Sequence, residues 1–144
     1  MDDASLDIPP TDKVESKKED GIGWLVFNNP ERRNAISIEM AFAARKILED
    51  FSSDPAVRVV ILRGGGEKAF ISGGDISGQE KQKSTPELLA RYSSIHEGAR
   101  EALYTMGMPT IAMIHGYCLG GGLGYALNCD IRICSDDARF GIPA

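Results

Sequence analysis

The sequence predicts an α/β fold, and three observations carry that reading. Apolar runs of strand length alternate with amphipathic runs of helical period. One of those runs, Val57–Leu62, is almost unbroken aliphatic sequence, as in strands of a parallel sheet covered on both faces. Glycine-dense turns follow the apolar runs and open into helices. The 144 residues suit one domain. No internal repeat is visible.

Residues 1–20 read as a disordered acidic tail, with Pro9-Pro10 and few large apolar groups, so the folded domain is assigned to 21–144. The tail is too acidic for a mitochondrial transit peptide and lacks the apolar core of a signal peptide. Ile22–Phe27 is a strand ended by Asn28-Asn29-Pro30. Ser37 caps a helix running to about Phe51, with Met40, Ala44, Ile47 and Phe51 on one face. Val57–Leu62 follows as a strand and is broken by Gly64-Gly65-Gly66. Glu67–Gln82 reads as a loop. Ser84 or Thr85 then caps a helix whose stripe is Leu88, Tyr92, Ile95, Ala99, Ala102 and Met106, closed by Gly107 and Pro109. Ile111–Ile114 is a strand, Leu123–Asn128 a short helix, Asp130–Cys134 a strand, and Arg139–Phe140 the start of another. The order is β-α-β-loop-α-β-α-β, with right-handed crossovers expected.

The net charge is −5, of which −4 falls in residues 1–20. The remainder is nearly neutral, so no basic face recommends nucleic acid. No stretch approaches the ~18 consecutive apolar residues of a membrane span. Three cysteines, Cys118, Cys129 and Cys134, form no C-x-x-C and have no ligand spacing to His96 or His115, so no metal is expected. An odd, sparse cysteine set points to reduced thiols in a cytoplasmic compartment.

The turn Gly116–Gly124 follows an apolar strand and opens a helix. Backbone amides there can approach an oxyanion or a phosphate closely, or the glycines can serve packing alone. It contains no G-x-x-x-x-G-K-[ST] and no complete G-x-G-x-x-G. A second cluster, Lys68–Ile76, contains Ser72-Gly73-Gly74-Asp75 just after another buried strand.

Taken together, the blocks resemble the crotonase (enoyl-CoA hydratase/isomerase) family. Asn29–Ser37 resembles N-P-x-x-x-N-A-[LI]-[ST], and Lys68–Ile76 resembles K-A-F-x-[AS]-G-x-D-[IL]. His115–Gly122 with Cys129-Asp130-Ile131-Arg132 resembles G-x-[AC]-x-G-G-G followed by C-D-[IL]-R, and Phe140–Pro143 resembles F-G-x-P. The resemblance implies a ββα spiral core, apparently truncated after the F-G-x-P strand. It also implies an acyl-CoA thioester as substrate, with coenzyme A part of that substrate and no permanently bound cofactor. A homotrimer or hexamer is implied for the full-length family form.

By position, the resemblance makes the amides of Gly74 and Gly121 an oxyanion hole. Arg33 and Ala35 fall beside CoA, and Ala69, Ile71 and Ser72 along the adenine and pantetheine path. Gly73, Asp75, Ile76 and Tyr117 complete the binding set. Arg33 is either a phosphate ligand or a solvated loop residue, and Asp75 more readily fixes its loop than moves a proton. Tyr117 and Tyr125 lie near the acyl group or pack as aromatics. Asp130 reads as structural, Asp136-Asp137 as a polar turn, and His115 as a core or loop histidine. Hydratases of the family place glutamates where this chain has Gly124 and Ala144. Without them, water activation and α-carbon protonation lack their groups. The chain is therefore expected either to act on an acyl-CoA with unusual proton-transfer groups or to bind it without turnover as an assembly protein.

Overall fold

The computed structural model describes residues 7–143. Five strands form one sheet in the order β1-β2-β3-β5-β7: Val14–Glu19, Ile22–Phe27, Val59–Gly64, Thr110–Ile114 and Ile131–Cys134. β1 runs antiparallel to β2, and every other pairing in this sheet is parallel. A second, parallel sheet holds three-residue strands in the order β4-β6-β8: Ala69–Ile71, Tyr117–Leu119 and Arg139–Gly141. The helices are α1 (Ile38–Ser53), α2 (Gln79–Gln82), α3 (Pro86–Tyr104) and α4 (Gly121–Leu127). Each strand from β3 onward in the large sheet is followed by one in the small sheet, and helices follow the first two such pairs. That is the ββα spiral, and it repeats. The repeat escaped the sequence because its second strand is only three residues long and carries no period.

The tail assignment needs correction. Residues 14–19 are not disordered: they pair along their length with β2, from Val14 opposite Phe27 to Glu19 opposite Ile22. Asp20 and Gly21 make the turn at φ +52° and +82°, the Asp-Gly hairpin signal. Only Val14 of β1 is buried, so the strand reads as polar sequence. Backbone pairing, not apolar content, orders it, and its lysines and glutamates suit an exposed edge. Residues 1–6 lie outside the described residues.

α1 starts where expected, with Ser37 Oγ accepting from Met40 N. Thr85, rather than Ser84, caps α3 through Leu88 N. Met40, Ala41, Ala44, Leu48 and Phe51 of α1 and Ile95, Ala99 and Leu103 of α3 join Leu25, Phe27, Val60, Leu62 and Ala112 in one core. The helices cover a single sheet face. In β3, Val60 and Leu62 are buried, Val59 and Ile61 are half-buried and Arg63 is exposed, so coverage on both faces is not met among the described residues. β7 has all four side chains exposed. No helix among the described residues is long and apolar enough to cross a membrane.

One buried side chain ties the segments together. Asn34, 0 % exposed, donates from Nδ2 to Gly65 O (2.9 Å) and Ala69 O (2.8 Å) and accepts from Asn29 N (2.8 Å). It therefore clamps the loop after β2 to both sides of the corner between β3 and β4. Its φ of +58° is one that asparagine tolerates better than most residues. Asn34→Ala leaves three buried backbone groups without partners, at about 1–3 kcal/mol each. The expected loss is at least ~3 kcal/mol in urea unfolding; a loss below ~1 kcal/mol would remove Asn34 from this role.

Candidate functional site

The clamp orders the loop that carries Gly74. Ile36 N donates to Gly73 O (2.9 Å) and Asp75 N donates to Ile36 O (2.8 Å). In a parallel bridge the flanking groups bond the partner, so the Gly74 N–H points to the opposite side. Gly73 takes φ +129°, which a side chain would strain. Ser72 N donates to Arg33 O (3.1 Å), tying the loop further.

The opposite side is the start of α4. Gly122 packs so closely that a Cβ there would sit 2.1 Å from Ile71 O. This contact brings α4 against β4 and sets Gly121 beside Gly74: a methyl group on Gly121 would lie 3.9 Å from the Gly74 nitrogen. Gly121 is the first residue of α4, where amides have no partner within the helix. Among the described residues, neither Gly74 N nor Gly121 N donates to an acceptor. Two exposed, unpartnered amide donors thus lie side by side. Such a pair can hold an oxygen on which negative charge develops, typically worth ~3–4 kcal/mol per donor in the transition state.

Around this point lie residues of α2 and α3. A Cβ on Gly74 would meet Gln79 Nε2 at 3.3 Å and Tyr92 Oη at 3.7 Å, and Gln79 Nε2 donates to Tyr92 Oη (3.1 Å). A Cβ on Gly124 would meet only Arg100 Cδ, at 3.6 Å. Burial raises the Tyr92 hydroxyl above its ordinary range. Burial, helped by the charges of Arg100 and Lys83, pushes the His96 imidazole down to about 4. On the far side of the glycine loop, Arg33 and Lys68 line both a cavity of about 390 Å³ with Ala69 and one of about 490 Å³ with Tyr117. The Arg33 guanidinium sits 5.4 Å over the Tyr117 ring.

The enoyl-CoA hydratase/isomerase family model matches residues 17–144. The chain belongs to that family. It is 38% identical over 134 residues to a hydroxycinnamoyl-CoA hydratase-lyase of Pseudomonas fluorescens, covering 90% of this chain and 48% of that protein. It is 34% identical over 140 residues to a peroxisomal Δ(3,5)-Δ(2,4)-dienoyl-CoA isomerase of Arabidopsis thaliana, covering 90% of this chain and 50% of the relative. The crystal structure of an enoyl-CoA hydratase/carnithine racemase from Magnetospirillum magneticum superposes with a TM-score of 0.88 at 34% identity, over 92% of this chain and 50% of that one. The chain spans about half the length of the relatives it matches.

The sequence-derived residues distribute unevenly. Gly73, Gly74 and Gly121 come together at the two amides. Ile76 is 80% exposed beyond them. Ala69 and Ile71 have buried side chains, so only their backbone can face a ligand, and Ala35 is likewise buried. Asp75 accepts from Ser77 N (2.9 Å) and lies 3.6 Å from Arg32 Nη1, which fixes its loop. Tyr125 is core, packed edge-on to Phe27 at 5.3 Å, with its hydroxyl pushed up by burial. Asp130 accepts from Thr110 N (2.9 Å), and Asp137 accepts from Gly116 N (3.3 Å). Burial pushes the Cys118 thiol up to about 11 and Cys129 up to about 12, while Cys134 is exposed. Ala144 lies outside the described residues. Gln79, Tyr92, Arg100 and Lys68 were not picked out by the sequence reading. Tyr92 falls in the apolar stripe of α3 and Arg100 lies outside it with no motif around it, so neither carries a site signal in the sequence.

Two outcomes follow. Gly122→Ala forces a Cβ against the Ile71 carbonyl and is expected to destabilise by several-fold more than Gly121→Ala, whose Cβ finds ordinary space; parallel urea titrations of the two variants measure this. Stability should also fall with pH through His96. Its folded-state pKa of about 4 lies below the ordinary value of 6.5, so protons bind the unfolded chain preferentially. Its contribution is full above pH 6.5 and is lost between 6.5 and about 4, on the order of 3 kcal/mol. His96→Leu should flatten that segment of the stability–pH curve.

Proposed function

We propose that the chain binds an acyl-CoA thioester and holds the thioester oxygen between the amides of Gly74 and Gly121. The observation that carries this is the pair of adjacent, unpartnered amide donors. Family membership supports the substrate class, as do relatives named as hydratases, a lyase and an isomerase of CoA thioesters. Arg33, Lys68 and Arg139 line one cavity with the Tyr117 ring, against two carboxylates, Asp136 and Asp137, leaving one cation in excess for the phosphates of CoA and a ring for its adenine.

Chemically, the two donors stabilise the enolate formed when solvent water or hydroxide takes a proton from the α-carbon, the same solvent returning a proton or deuteron to it. They do so without reorganising, because the bridge to Ile36 and the Gly122–Ile71 contact fix both. At Gly124 the chain offers no carboxylate. Hydration of a 2-enoyl-CoA needs a group to activate water and a group to deliver a proton, each typically a ~10²–10⁴-fold contributor. Turnover as a hydratase is accordingly expected to be weak. Self-association is part of the same proposal, supported by the exposed Ile131, Ile133, Phe140 and Ile142.

The test is α-proton exchange of butyryl-CoA in D₂O, alongside calorimetric binding and crotonyl-CoA hydration. Slow exchange is expected, lost in Gly121→Ala, with hydration at background. Gly124→Glu together with Ala144→Glu should raise hydration, and neither alone should do so. Exchange indifferent to Gly121→Ala, or strong hydration by the unaltered chain, would overturn the assignment.

A further inference from the structure

α3 presents Tyr92, His96 and Arg100 at four-residue spacing, one above the other on a single face. Contacts at both ends fix where that face lies. Tyr92 Oη abuts the Gly74 position at 3.7 Å, and Arg100 Cδ abuts the Gly124 position at 3.6 Å. Gly121 and Gly124 are three residues apart on α4, about 5 Å between side-chain positions. The Arg100 side chain thus passes one helical turn from the paired amides.

Arg100 is half-buried, and among the described residues it makes no ion pair and no hydrogen bond. The neighbouring groups do not compensate it. Lys83 Nζ is itself cationic, 4.5 Å over the Tyr92 ring. Asp75 faces Arg32 and Ser77 N. Tyr92 and Tyr125 are held in the neutral form by burial, and His96 is neutral at pH 7. A partly desolvated guanidinium without an acceptor is costly, and it is the side chain best shaped to take a carboxylate on two parallel N–H bonds.

We infer that the acyl group of the thioester carries a terminal carboxylate, and that Arg100 determines specificity by binding it. This rests on the CoA-thioester reading above and adds the substrate class. A thioester oxygen at Gly74 and Gly121 and a carboxylate at Arg100 lie roughly one helical turn apart or a little more, ~5–8 Å, which a dicarboxylic acyl group of four or five carbons spans. The glycine at 124 is what leaves the guanidinium open: a carboxylate on α4 at that position would pair with Arg100 internally.

The experiment compares glutaryl-CoA with pentanoyl-CoA, equal in carbon count and differing in the carboxylate. Calorimetric titrations use the full 144-residue chain, and circular dichroism checks the fold of every variant. The wild-type chain is expected to bind glutaryl-CoA at least ~10-fold tighter, the size of one charge-assisted contact. The ratio should fall to near unity in Arg100→Gln and be partly kept in Arg100→Lys. Gly124→Glu, whose Cβ meets only ordinary contact, should abolish the ratio by occupying the guanidinium, and it decides the matter if Arg100→Gln fails to fold. Equal affinities of the wild type for the two thioesters would overturn the inference and leave the thioester reading standing. A preference surviving both Arg100→Gln and Gly124→Glu would overturn it too. Failure of the folded wild type to bind either thioester would overturn the thioester reading, and this inference with it.

Discussion

The site depends on an amide side chain that never touches it. Asn34 is fully buried and uses Oδ1 and both Nδ2 hydrogens, to Asn29 N, Gly65 O and Ala69 O. Those bonds, together with Gly65 N to Phe27 O and Ser72 N to Arg33 O, hold the loop after β2 against the corner where the chain passes from the large sheet to the small one. With them, Ile36 is placed to bridge Gly74, and the bridge decides which way the Gly74 amide points. A buried amide that satisfies three backbone groups at once fixes geometry more narrowly than apolar packing, because each bond weakens steeply with angle.

The glycines separate by what surrounds them. A Cβ would strike backbone at Gly64 (2.3 Å), Gly116 (2.0 Å) and Gly122 (2.1 Å), so packing alone accounts for those residues. It would find ordinary space at Gly121 and Gly124. Gly122 sets the approach of α4 to β4, and Gly121 keeps the resulting gap open in front of the Gly74 amide. Neighbouring residues in one G-G-G run therefore do different work, which composition could not reveal.

Helices α1 and α3 and strands β2, β3 and β5 were legible because each carries an apolar pattern and a terminator: Ser37 and Thr85 cap, and Gly107 and Pro109 close; the one-turn α2 lies inside the stretch 67–82 that reads as a loop. The three-residue strands β4 and β6 were not, since so short a run has no alternation to detect, while β8 begins at the Arg139–Phe140 start that the sequence predicts. β1 was missed for another reason. Its side chains look like those of a solvated tail, and its order comes from main-chain bonds to β2 and from the Asp20-Gly21 turn. In the site, the motif blocks located Gly74 and Gly121 because backbone geometry leaves a glycine signature. Tyr92 and Arg100 left none, since their place depends on how α3 packs across α4.

Net charge is a poor guide to the local charge around the amide pair. The chain as a whole is −5, which should repel a polyanion such as CoA. Yet much of the charge near β1 is matched locally: Lys17 pairs with Glu19 at 2.9 Å, and Lys18 with Asp50 and Asp54 at 2.8 Å each. Exposed pairs of this kind cancel in the far field, and at physiological salt what remains decays over ~8 Å. Arg33, Lys68, Lys83 and Arg100, by contrast, stand in none of the ion pairs among the described residues. Arg33 and Lys68 sit where the 390 and 490 Å³ cavities meet, and Lys83 and Arg100 on the Tyr92 side of the amide pair. Glu31 and Glu67 line the first of those cavities and Asp136 and Asp137 the second, so a ligand arriving at the glycine loop meets individual cations on both sides, interleaved with carboxylates, and two N–H donors between them.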